Sequence, residues 1–373
     1  MIIVKSESVD QSEIEGRDNL YRRLKISNAL SLDTKLPTPN GWKTIESVRV
    51  LDFVFGEDGK SVMVVNKSKV FNTPMYRILL SDGRELKISE DHINVVIHRR
   101  QKRVGGIRVN YLDRRELTTQ ELLQIPLTAP RSVTIKNPLG KENRLWFPLP
   151  KAVEYPEQNL PVDPYTLGLA IGDGAMDHST GYCRLHGHVK DLPHLLVHIP
   201  TRCGEMIPDR RFPNVVRVSL YGIGSAIKSL GLACHGNQKF VPEIYMQSSV
   251  RQRLSLLQGL MDTDGTVYMK GCAAFTSNSY NLAQGVQGLV FSLGGSAVIS
   301  SMNEAYRVNV RLNLPLFRLP RKAGRQHFKC LERIPVVSIE KISQQPSQCL
   351  VVFSKERTFL AGDFVVTQSS RSI

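Results

Sequence analysis

Two short copies of one pattern lie in the middle of the chain, and each is a run of mainly apolar residues that ends in Asp-Gly. The first copy is T-L-G-L-A-I-G-D-G at residues 166–174, and the second is L-Q-G-L-M-D-T-D-G at residues 257–265. Each copy predicts a helix that ends at its Asp-Gly pair. Asp173 and Asp264 would then lie side by side at the C-terminal ends of two helices.

Two adjacent carboxylates at helix C-termini predict a site for a divalent cation. Gly168 and Gly259 are small enough to let the two helices pack closely, which brings the carboxylates together. The helix dipoles and the mutual repulsion of the charges make such a pair costly unless a cation binds. Oxygen ligands with retained water suit Mg²⁺, and metal ions shared between attacking and leaving oxygens suit phosphodiester hydrolysis. A lone Asp-Gly would be a common turn, whereas two copies in an internal repeat indicate function.

The paired pattern resembles the motif of the LAGLIDADG homing endonucleases. The second copy keeps the leucines, glycines and aspartates of that motif, and the first keeps mainly its central Gly-Leu and final Asp-Gly. The resemblance implies an α+β endonuclease with pseudo-twofold symmetry over residues 165–330, in which Asp173 and Asp264 bind Mg²⁺. Its two sheets would form a saddle over the major groove of double-stranded DNA, where base edges are distinguishable.

The same resemblance singles out two lysines. N-Q-K-F-V-P-E at residues 237–243 resembles the family's segment that carries a catalytic lysine, here Lys239. Lys322, in R-K-A at residues 321–323, occupies the corresponding place in the second half. A lysine near the scissile phosphate would stabilise developing charge or position a water molecule. For Lys322, a plain contact with a DNA phosphate is the alternative.

Three further segments lie on either side of residues 165–330, and their side chains suggest a second reaction. They are A-L-S-L-D-T-K-L-P-T-P-N-G-W at residues 29–42, G-R-E-L-K-I-S-E-D-H at residues 83–92 and T-F-L-A-G-D-F-V-V-T-Q-S at residues 358–369. These segments resemble the sequence blocks of inteins, which excise themselves from a host protein and ligate the flanking exteins. The resemblance implies an all-β Hint splicing domain of horseshoe shape, and it makes Asn28 and Ser369 the residues to be joined.

The intein resemblance also assigns roles near the two splice junctions. The reaction needs an acyl shift at the first junction, transfer to a nucleophile at the second, and release by side-chain amide cyclisation. His92 would polarise or protonate the Asn28–Ala29 peptide bond. Ser89 stands where the block has a threonine, and Ser369 would supply the acceptor hydroxyl, which is weak until a base activates it. For His92, the alternative is a solvent-facing loop histidine.

Three positions depart from the intein pattern. Ala29 stands where a nucleophilic Cys or Ser is usual, Gln368 where Asn is usual, and Thr367 where a penultimate His is usual. Either the element is disabled or another nucleophile acts. Cys349 is the candidate, because some inteins that lack a first-residue nucleophile use an internal Cys at this place. The tryptophan that those inteins carry near the block histidine is Asn94 here, and a buried Cys is more often an inert small hydrophobic residue.

The elements that must position these residues change in type along the chain. Residues 29–125 and 331–368 have short β-rich runs separated by turn signals, and they predict two parts of one all-β splicing domain. Residues 165–330 alternate helical and strand-like stretches in two similar halves. Residues 126–164 are rich in proline and are expected to form a junction. The predicted protein is therefore multidomain, with an α+β unit that splits an all-β one.

Composition bears on partners and compartment. Lys and Arg number 49 against 34 Asp and Glu, and the net charge of +15 favours a polyanionic partner, with a solvated basic surface as the alternative. No run of about 18 apolar residues occurs, so no membrane span is expected. The six cysteines form no Cys-x-x-Cys pair. We therefore expect no zinc site and a reducing, cytoplasmic location.

These patterns together favour a monomeric, self-splicing element with a nested Mg²⁺-dependent DNA endonuclease. Its splicing reaction would need no cofactor. Residues 1–28 would be the N-extein segment and residues 369–373 the C-extein stub, so the host would be attached in cis. Two alternatives stay open. One is a DNA endonuclease whose β domain no longer splices, and the other is an autoprocessing domain that cleaves one junction without ligation.

Overall fold

The computed structural model describes residues 28–105, 107–130, 141–176, 183–268, 271–327 and 332–370. The predicted N-extein segment lies outside the described residues except for Asn28. The predicted C-extein stub is described only at Ser369 and Ser370.

The first part of the chain is β-rich, as its turn signals predicted. Its elements are β1 (Ala29–Ser31), β2 (Lys35–Thr38), β3 (Gly41–Thr44), β4 (Phe53–Phe55), β5 (Ser61–Lys67), β6 (Phe71–Leu80), β7 (Glu85–Ser89), β8 (Ile93–Val104), β9 (Ile107–Thr118), α1 (Thr119–Leu123), β10 (Thr128–Pro130), β11 (Lys141–Asn143) and β12 (Leu145–Pro148).

The middle of the chain mixes helices and strands, which also agrees with the sequence pattern. Its elements are α2 (Pro164–Asp173), β13 (Gly174–Met176), β14 (Cys183–His188), α3 (Leu192–Leu196), β15 (Ile207–Pro208), β16 (Val215–Leu220), α4 (Gly224–Ser229), a 3₁₀ turn (Gly236–Gln238), α5 (Glu243–Met246), α6 (Val250–Asp264), β17 (Gly265–Val267), β18 (Ala273–Ser277), α7 (Tyr280–Ser292), β19 (Ser296–Met302), β20 (Ala305–Arg311) and α8 (Pro320–Ala323).

The chain then returns to strands, which are β21 (Arg333–Phe353), β22 (Thr358–Ala361) and β23 (Val365–Gln368). The sequence predicted two separate strands at residues 335–342 and 349–353, but β21 is a single strand of 21 residues. The polar stretch between the two predicted strands has no apolar alternation of its own. It stays extended because its backbone pairs with β6.

A nine-stranded sheet joins the two β-rich parts of the chain. Its strands run in the order β1-β7-β6-β21-β12-β8-β9, and β5 pairs with both β21 and β4. Because β21 pairs with strands from the first part of the chain, the described residues of 28–148 and 333–370 form one structure. Register shifts along β21 mark bulges that let this long strand bend between its several neighbours.

Strand β12 corrects the prediction of a junction over residues 126–164. Trp146 lies opposite Ile97 of β8 on one side and Pro335 of β21 on the other. The prolines around this strand suggested a connection, but Leu145 and Phe147 are fully buried. Burial of these side chains outweighs the local proline signal, so this part of the predicted junction belongs to the sheet.

The middle of the chain leaves and re-enters this sheet at neighbouring points. Pro148 of β12 lies opposite Arg333 of β21. One residue further on, the Leu149 N–H donates to the carbonyl oxygen of Glu332 at 2.9 Å. Residues 150–331 are therefore inserted between two paired strands.

The inserted segment contains the internal repeat that the sequence predicted. Each half has a helix that ends in Asp-Gly and leads into a four-stranded antiparallel sheet. The strand order is β13-β14-β16-β15 after α2 and β17-β18-β20-β19 after α6. The matching order in the two halves gives this segment its repeated α+β architecture.

Helices α2 and α6 are in backbone contact where they cross. A Cβ added at Gly168 would lie 2.4 Å from the Leu256 carbonyl oxygen and 2.9 Å from Gly259 Cα. A Cβ added at Gly259 would lie 2.4 Å from the Tyr165 carbonyl oxygen. No real side chain tolerates such distances, so the close approach depends on glycine at both positions.

The inserted segment and the β-rich part also share a core. Phe55, Leu360 and Phe364 belong to the same buried cluster as side chains of α2, α6 and α7. Arg84, between β6 and β7, forms a buried ion pair with Asp82 at 2.8 Å, and its guanidinium lies 4.4 Å from the ring centroid of Phe291 in α7. Among the described helices, none is both long and apolar enough to cross a membrane.

Candidate functional sites

The ends of α2 and α6 bring Asp173 and Asp264 to adjacent positions. A Cβ added at Gly172 would lie 2.0 Å from Thr263 Oγ1 and 3.1 Å from Asp264 Oδ2. The backbone of α2 therefore lies directly against the carboxylate of α6, without an intervening side chain. The two carboxylates that the repeat singled out belong to one site.

Both carboxylates lie in surroundings that disfavour a negative charge. Burial, followed by the charge of Asp173, raises the pKa of Asp264 to about 6. Burial also raises the pKa of Asp173, although this side chain is open to solvent on one side, which weakens the effect. The positive charges of Lys239 and Lys322 act in the opposite direction on both carboxyls.

Each of the two predicted lysines caps one motif helix. Lys239 Nζ donates to three carbonyl oxygens at the end of α2, at 2.5 to 3.5 Å. Lys322 Nζ donates to three carbonyl oxygens at the end of α6, at 2.6 to 3.1 Å. Burial lowers the pKa of both lysines, that of Lys322 to about 8. Lys322 is only 7% exposed, so this lysine is part of the carboxylate site and not of the outer surface.

The donor set at this site fits a hard divalent cation. Two carboxylates with raised pKa values would both gain from a bound positive charge. Among the described residues, no group of three or more His, Cys, Asp or Glu side chains could hold a metal ion. Further ligands would therefore have to be backbone carbonyls, water and the substrate's phosphate, a combination that Mg²⁺ accepts.

The two four-stranded sheets each have a buried and an open face. Val216 and Val218 of β16 are buried, as are Val308 and Val310 of β20, and the alternate residues are accessible. The open faces carry arginines, namely Arg184, Arg217, Arg307 and Arg311. A row of guanidinium groups on an open sheet is suited to the phosphates of a nucleic acid.

A second site lies between the nine-stranded sheet and the β22-β23 pair, where the two predicted splice junctions meet. Asn28 Nδ2 donates to the Ser369 carbonyl oxygen at 2.9 Å, although 341 positions separate these residues in the sequence. Asn28 is 1% exposed and Ser369 is fully buried. The chain after β23 is held by two further bonds, from Ser369 N–H to the Arg357 carbonyl at 2.7 Å and from Ser370 N–H to the Leu350 carbonyl at 2.9 Å.

Strand pairing sets Cys349 opposite Ala29. The antiparallel register of β1 and β21 makes these two residues direct partners. Side chains of opposed residues lie on the same face of a sheet, with Cβ atoms about 4.5–5.5 Å apart. Cys349 therefore lies beside the Asn28–Ala29 peptide bond, at the position where Ala29 offers no thiol or hydroxyl.

The thiol of Cys349 is protonated at rest. Burial raises its pKa to about 11, against the opposing effect of hydrogen bonds with Ser370 and Ser68. Ser68 Oγ also accepts a hydrogen bond from the Cys349 N–H at 3.0 Å. No sequence motif pointed to Ser68, because its contact depends on how β21 lies against β5.

His92 is fully buried between the two junctions and does not face solvent. Its Nε2 lies 2.7 Å from Thr367 Oγ1. Nδ1 has no hydrogen-bond partner of standard geometry among the described residues, but the backbone of Ala29 and Asn28 is close enough to act on the ring. Burial lowers the pKa of His92 to about 3, whereas the backbone groups of Ala29 and Asn28 act to raise it. Burial therefore favours the neutral imidazole at neutral pH.

The other predicted residues surround His92. Ser89 Oγ and Gln368 Oε1 are buried and have no hydrogen-bond partner among the described residues. Asn94 Nδ2 donates to the His92 carbonyl oxygen at 3.0 Å, so an amide holds the histidine backbone. Ser369 Oγ accepts from the Val352 N–H at 3.2 Å and lies 3.0 Å from the Ser370 carbonyl oxygen. The Ser369 hydroxyl is therefore hydrogen-bonded to backbone groups of Val352 and Ser370.

Comparison with known proteins adds the following similarities. No family model matches the chain. The replicative DNA helicase DnaB of Mycobacterium intracellulare is 26% identical over 358 residues, which cover 91% of this chain and 58% of that protein. The chain thus spans a little more than half the length of this curated relative.

Two kinds of solved structure are similar to the chain. The crystal structure of the MchDnaB-1 intein is 12% identical, covers 91% of this chain and 99% of that chain, and gives a TM-score of 0.28. The crystal structure of I-DmoI in complex with DNA and Mn is 14% identical, covers 40% of this chain and 89% of that chain, and gives a TM-score of 0.30. The similar structures thus include both kinds of protein that the sequence motifs resemble.

Proposed function

We propose that the chain is an intein precursor whose splicing domain carries an inserted LAGLIDADG homing endonuclease. The observation that carries this proposal is the contact between Asn28 and Ser369 at 2.9 Å. A peptide chain that is to be cut at two distant bonds and rejoined must hold both bonds together, and a buried contact across 341 positions does so. The contact lies beside His92, which supports a reaction at this place.

In the proposed splicing reaction, Cys349 acts first. Its Sγ attacks the Asn28 carbonyl carbon and gives up the thiol proton, the bond to the Ala29 nitrogen breaks, and that nitrogen takes up the proton. His92 polarises the peptide, and Thr367 fixes the ring through Nε2. Ser369 Oγ then attacks the thioester and displaces the thiol, which moves the Asn28 acyl group onto the hydroxyl.

The last step releases the spliced product. The side-chain nitrogen of Gln368 attacks its own carbonyl carbon, the Gln368–Ser369 bond breaks, and a six-membered imide forms. The ester between Asn28 and Ser369 then rearranges to an amide. No cofactor takes part in these steps, and the exteins are attached in cis.

In the proposed endonuclease, Asp173 and Asp264 would hold Mg²⁺ against the scissile phosphate of a double-stranded DNA site. When bound, the ion would lower the pKa of water and stabilise charge on the phosphate. Lys239 and Lys322 add positive charge beside the reacting group, and the open sheet faces contact the duplex. One chain supplies both motif helices, so we propose that the protein acts as a monomer. The described cysteines are free, which suits a reducing compartment such as the cytoplasm.

One observation favours a second candidate, a precursor that cannot splice and keeps only the endonuclease. The resting Cys349 thiol has its pKa raised to about 11, and Ala29 has no nucleophile. In that case the junctions would be held together without reacting.

The test is to follow the masses of the chain, of Cys349→Ala and of Ala29→Cys after purification. We expect ligation of residue 28 to residue 369 in the parent and its loss in Cys349→Ala. Because the thiolate is the nucleophile, the first cleavage should speed up by about tenfold per pH unit below the pKa of about 11. Cys183→Ala is the matched control, since the Cys183 thiol is also buried with a pKa of about 11 but lies in the inserted segment. If only Ala29→Cys reacts, the second candidate is correct.

A further inference from the structure

The side chain of Asn28 connects two parts of the splicing site. Its Oδ1 accepts from the Ile93 N–H at 2.5 Å, and its Nδ2 donates to the Ser369 carbonyl oxygen at 2.9 Å. Ile93 directly follows His92, and Ser369 directly follows the second scissile bond. The planar amide of Asn28 thus connects the backbone next to His92 with Ser369, the residue that must accept the acyl group.

The backbone at this position also favours asparagine. Asn28 has a φ of +90°, a region that glycine adopts freely and that asparagine tolerates better than most other residues. The residue is 1% exposed, so the Ile93 N–H and the Ser369 carbonyl have little access to water at this point. Removal of the amide would leave both groups without this partner in a buried place.

We infer that Asn28 is a specificity-determining residue, which aligns the two junctions through its side-chain amide and restricts the residue that can precede the excised segment. This inference rests on the proposed splicing function. Aspartate keeps the acceptor for Ile93 but has no N–H for Ser369. Glutamine is longer by one methylene, and alanine and glycine have neither group.

The alignment matters most in the transfer step. The thioester carbon–sulfur bond breaks, a bond to Ser369 Oγ forms, and the hydroxyl proton goes to the departing sulfur. The acyl group that moves belongs to Asn28 itself. Its side chain therefore keeps the acceptor residue in place while the backbone carbonyl changes partner, which raises the effective concentration of the hydroxyl.

The experiment compares the full chain with Asn28→Asp, Asn28→Gly and Asn28→Gln, each also in the Ala29→Cys background. The first step is measured by trapping the thioester with hydroxylamine, and the complete reaction by the mass of the ligated product. We expect ligation to fall about tenfold or more in all three variants, with trapping changed much less. Asn28→Gly keeps the positive φ at little steric cost, so its loss of ligation reports on the amide and not on backbone strain.

A second readout does not depend on splicing. In the Cys349→Ala chain, which the proposed mechanism keeps at full length, labelling with ¹⁵N-asparagine should show that the Asn28 side-chain NH₂ exchanges slowly with solvent. Asn28→Asp in the same chain identifies that signal by removing it. Rapid exchange overturns the contact whether or not the chain splices. Slow exchange with normal ligation in Asn28→Asp overturns the specificity role. Slow exchange without ligation in any chain, Ala29→Cys included, overturns the proposed splicing function and the specificity role with it.

Discussion

At the scale of single residues, Asp262 and Asp264 lie in the same turn of α6 but have different effects on stability. Asp262 accepts hydrogen bonds from Tyr165 Oη at 2.7 Å and from the N–H groups of Arg318 and Leu319, both at 3.0 Å. These bonds make Asp262 a structural anchor between the end of α6 and the segment before α8. Asp264 has a pKa of about 6 because of burial and the nearby Asp173, so its charge opposes folding at neutral pH.

Burial raises the pKa of Asp262 too, but the three hydrogen-bond donors around its carboxylate oppose that effect. The two aspartates should therefore respond differently to replacement by asparagine. We expect Asp264→Asn to abolish DNA cleavage, to leave DNA binding intact and to raise the Tm by a few degrees, since repulsion with Asp173 disappears. Asp262→Asn should instead lower the free energy of unfolding by about 1–3 kcal/mol, because a carboxylate that accepts from three donors is replaced. Calorimetry and a cleavage assay in Mg²⁺ separate the two effects. Persistent cleavage by Asp264→Asn, or in excess chelator, would show that the carboxylate pair is not the catalytic site.

At the scale of elements, α2 and α6 hold the carboxylates in place through two glycines. Gly168→Ala would put a Cβ 2.4 Å from the Leu256 carbonyl oxygen, so the helices must separate. We expect a loss of stability of about 1–3 kcal/mol and a large loss of cleavage, since Asp173 moves away from Asp264. Gly236→Ala is the matched control for stability, because a Cβ there meets no atom within 4 Å. Equal Tm values for the two variants would contradict the close packing of the helices.

Among the elements, the sequence predicts those with local signals and misses those that depend on distant partners. The sequence pattern predicts a helix over residues 250–261, and α6 begins at Val250 and ends at Asp264. The structure adds a capping box between Ser249 and Gln252 at its start, and the Asp-Gly pair closes the helix. These signals are local. The full length of β21 was not predicted, because its polar middle is extended only through pairing with β6. The sequence pattern places β12 in a junction for the same reason, since the position of this strand depends on β8 and β21, which are far away in the sequence.

The proposed splicing site shows the same difference between local and long-range signals. The motif blocks pointed to His92 and Ser369, and the missing nucleophile at Ala29 pointed to Cys349. Asn28 entered the prediction only as a residue to be joined, since the two contacts of its amide reach 65 and 341 positions along the chain. No pattern in a single sequence records contacts of that range.

At the scale of the whole molecule, the two units are joined by their topology and by a shared core. The inserted segment begins and ends beside the Leu149–Glu332 hydrogen bond of 2.9 Å. A tight turn can therefore replace the whole segment. Closing such a short gap adds little loop entropy. The shared core instead makes removal of the inserted segment costly. Phe55 stacks edge-on against Tyr155 at 4.9 Å and lies in the buried cluster formed with α2, α6 and α7. Removal of the insert would expose this side chain to water.

We therefore expect a chain in which an Asn-Gly turn replaces residues 150–331 to fold, to keep the nine-stranded sheet and to lose DNA cleavage. Apolar surface left by the missing core should make it prone to aggregation. Phe55→Lys should relieve this in the shortened chain and destabilise the complete one by about 3 kcal/mol or more, because it places a charge in a core. The matched control removes residues 126–331. This deletion takes β12 from between β8 and β21 and should prevent folding, as judged by circular dichroism and thermal unfolding. If both deletions fold equally well, β12 is dispensable, and residues 126–149 belong to the junction after all.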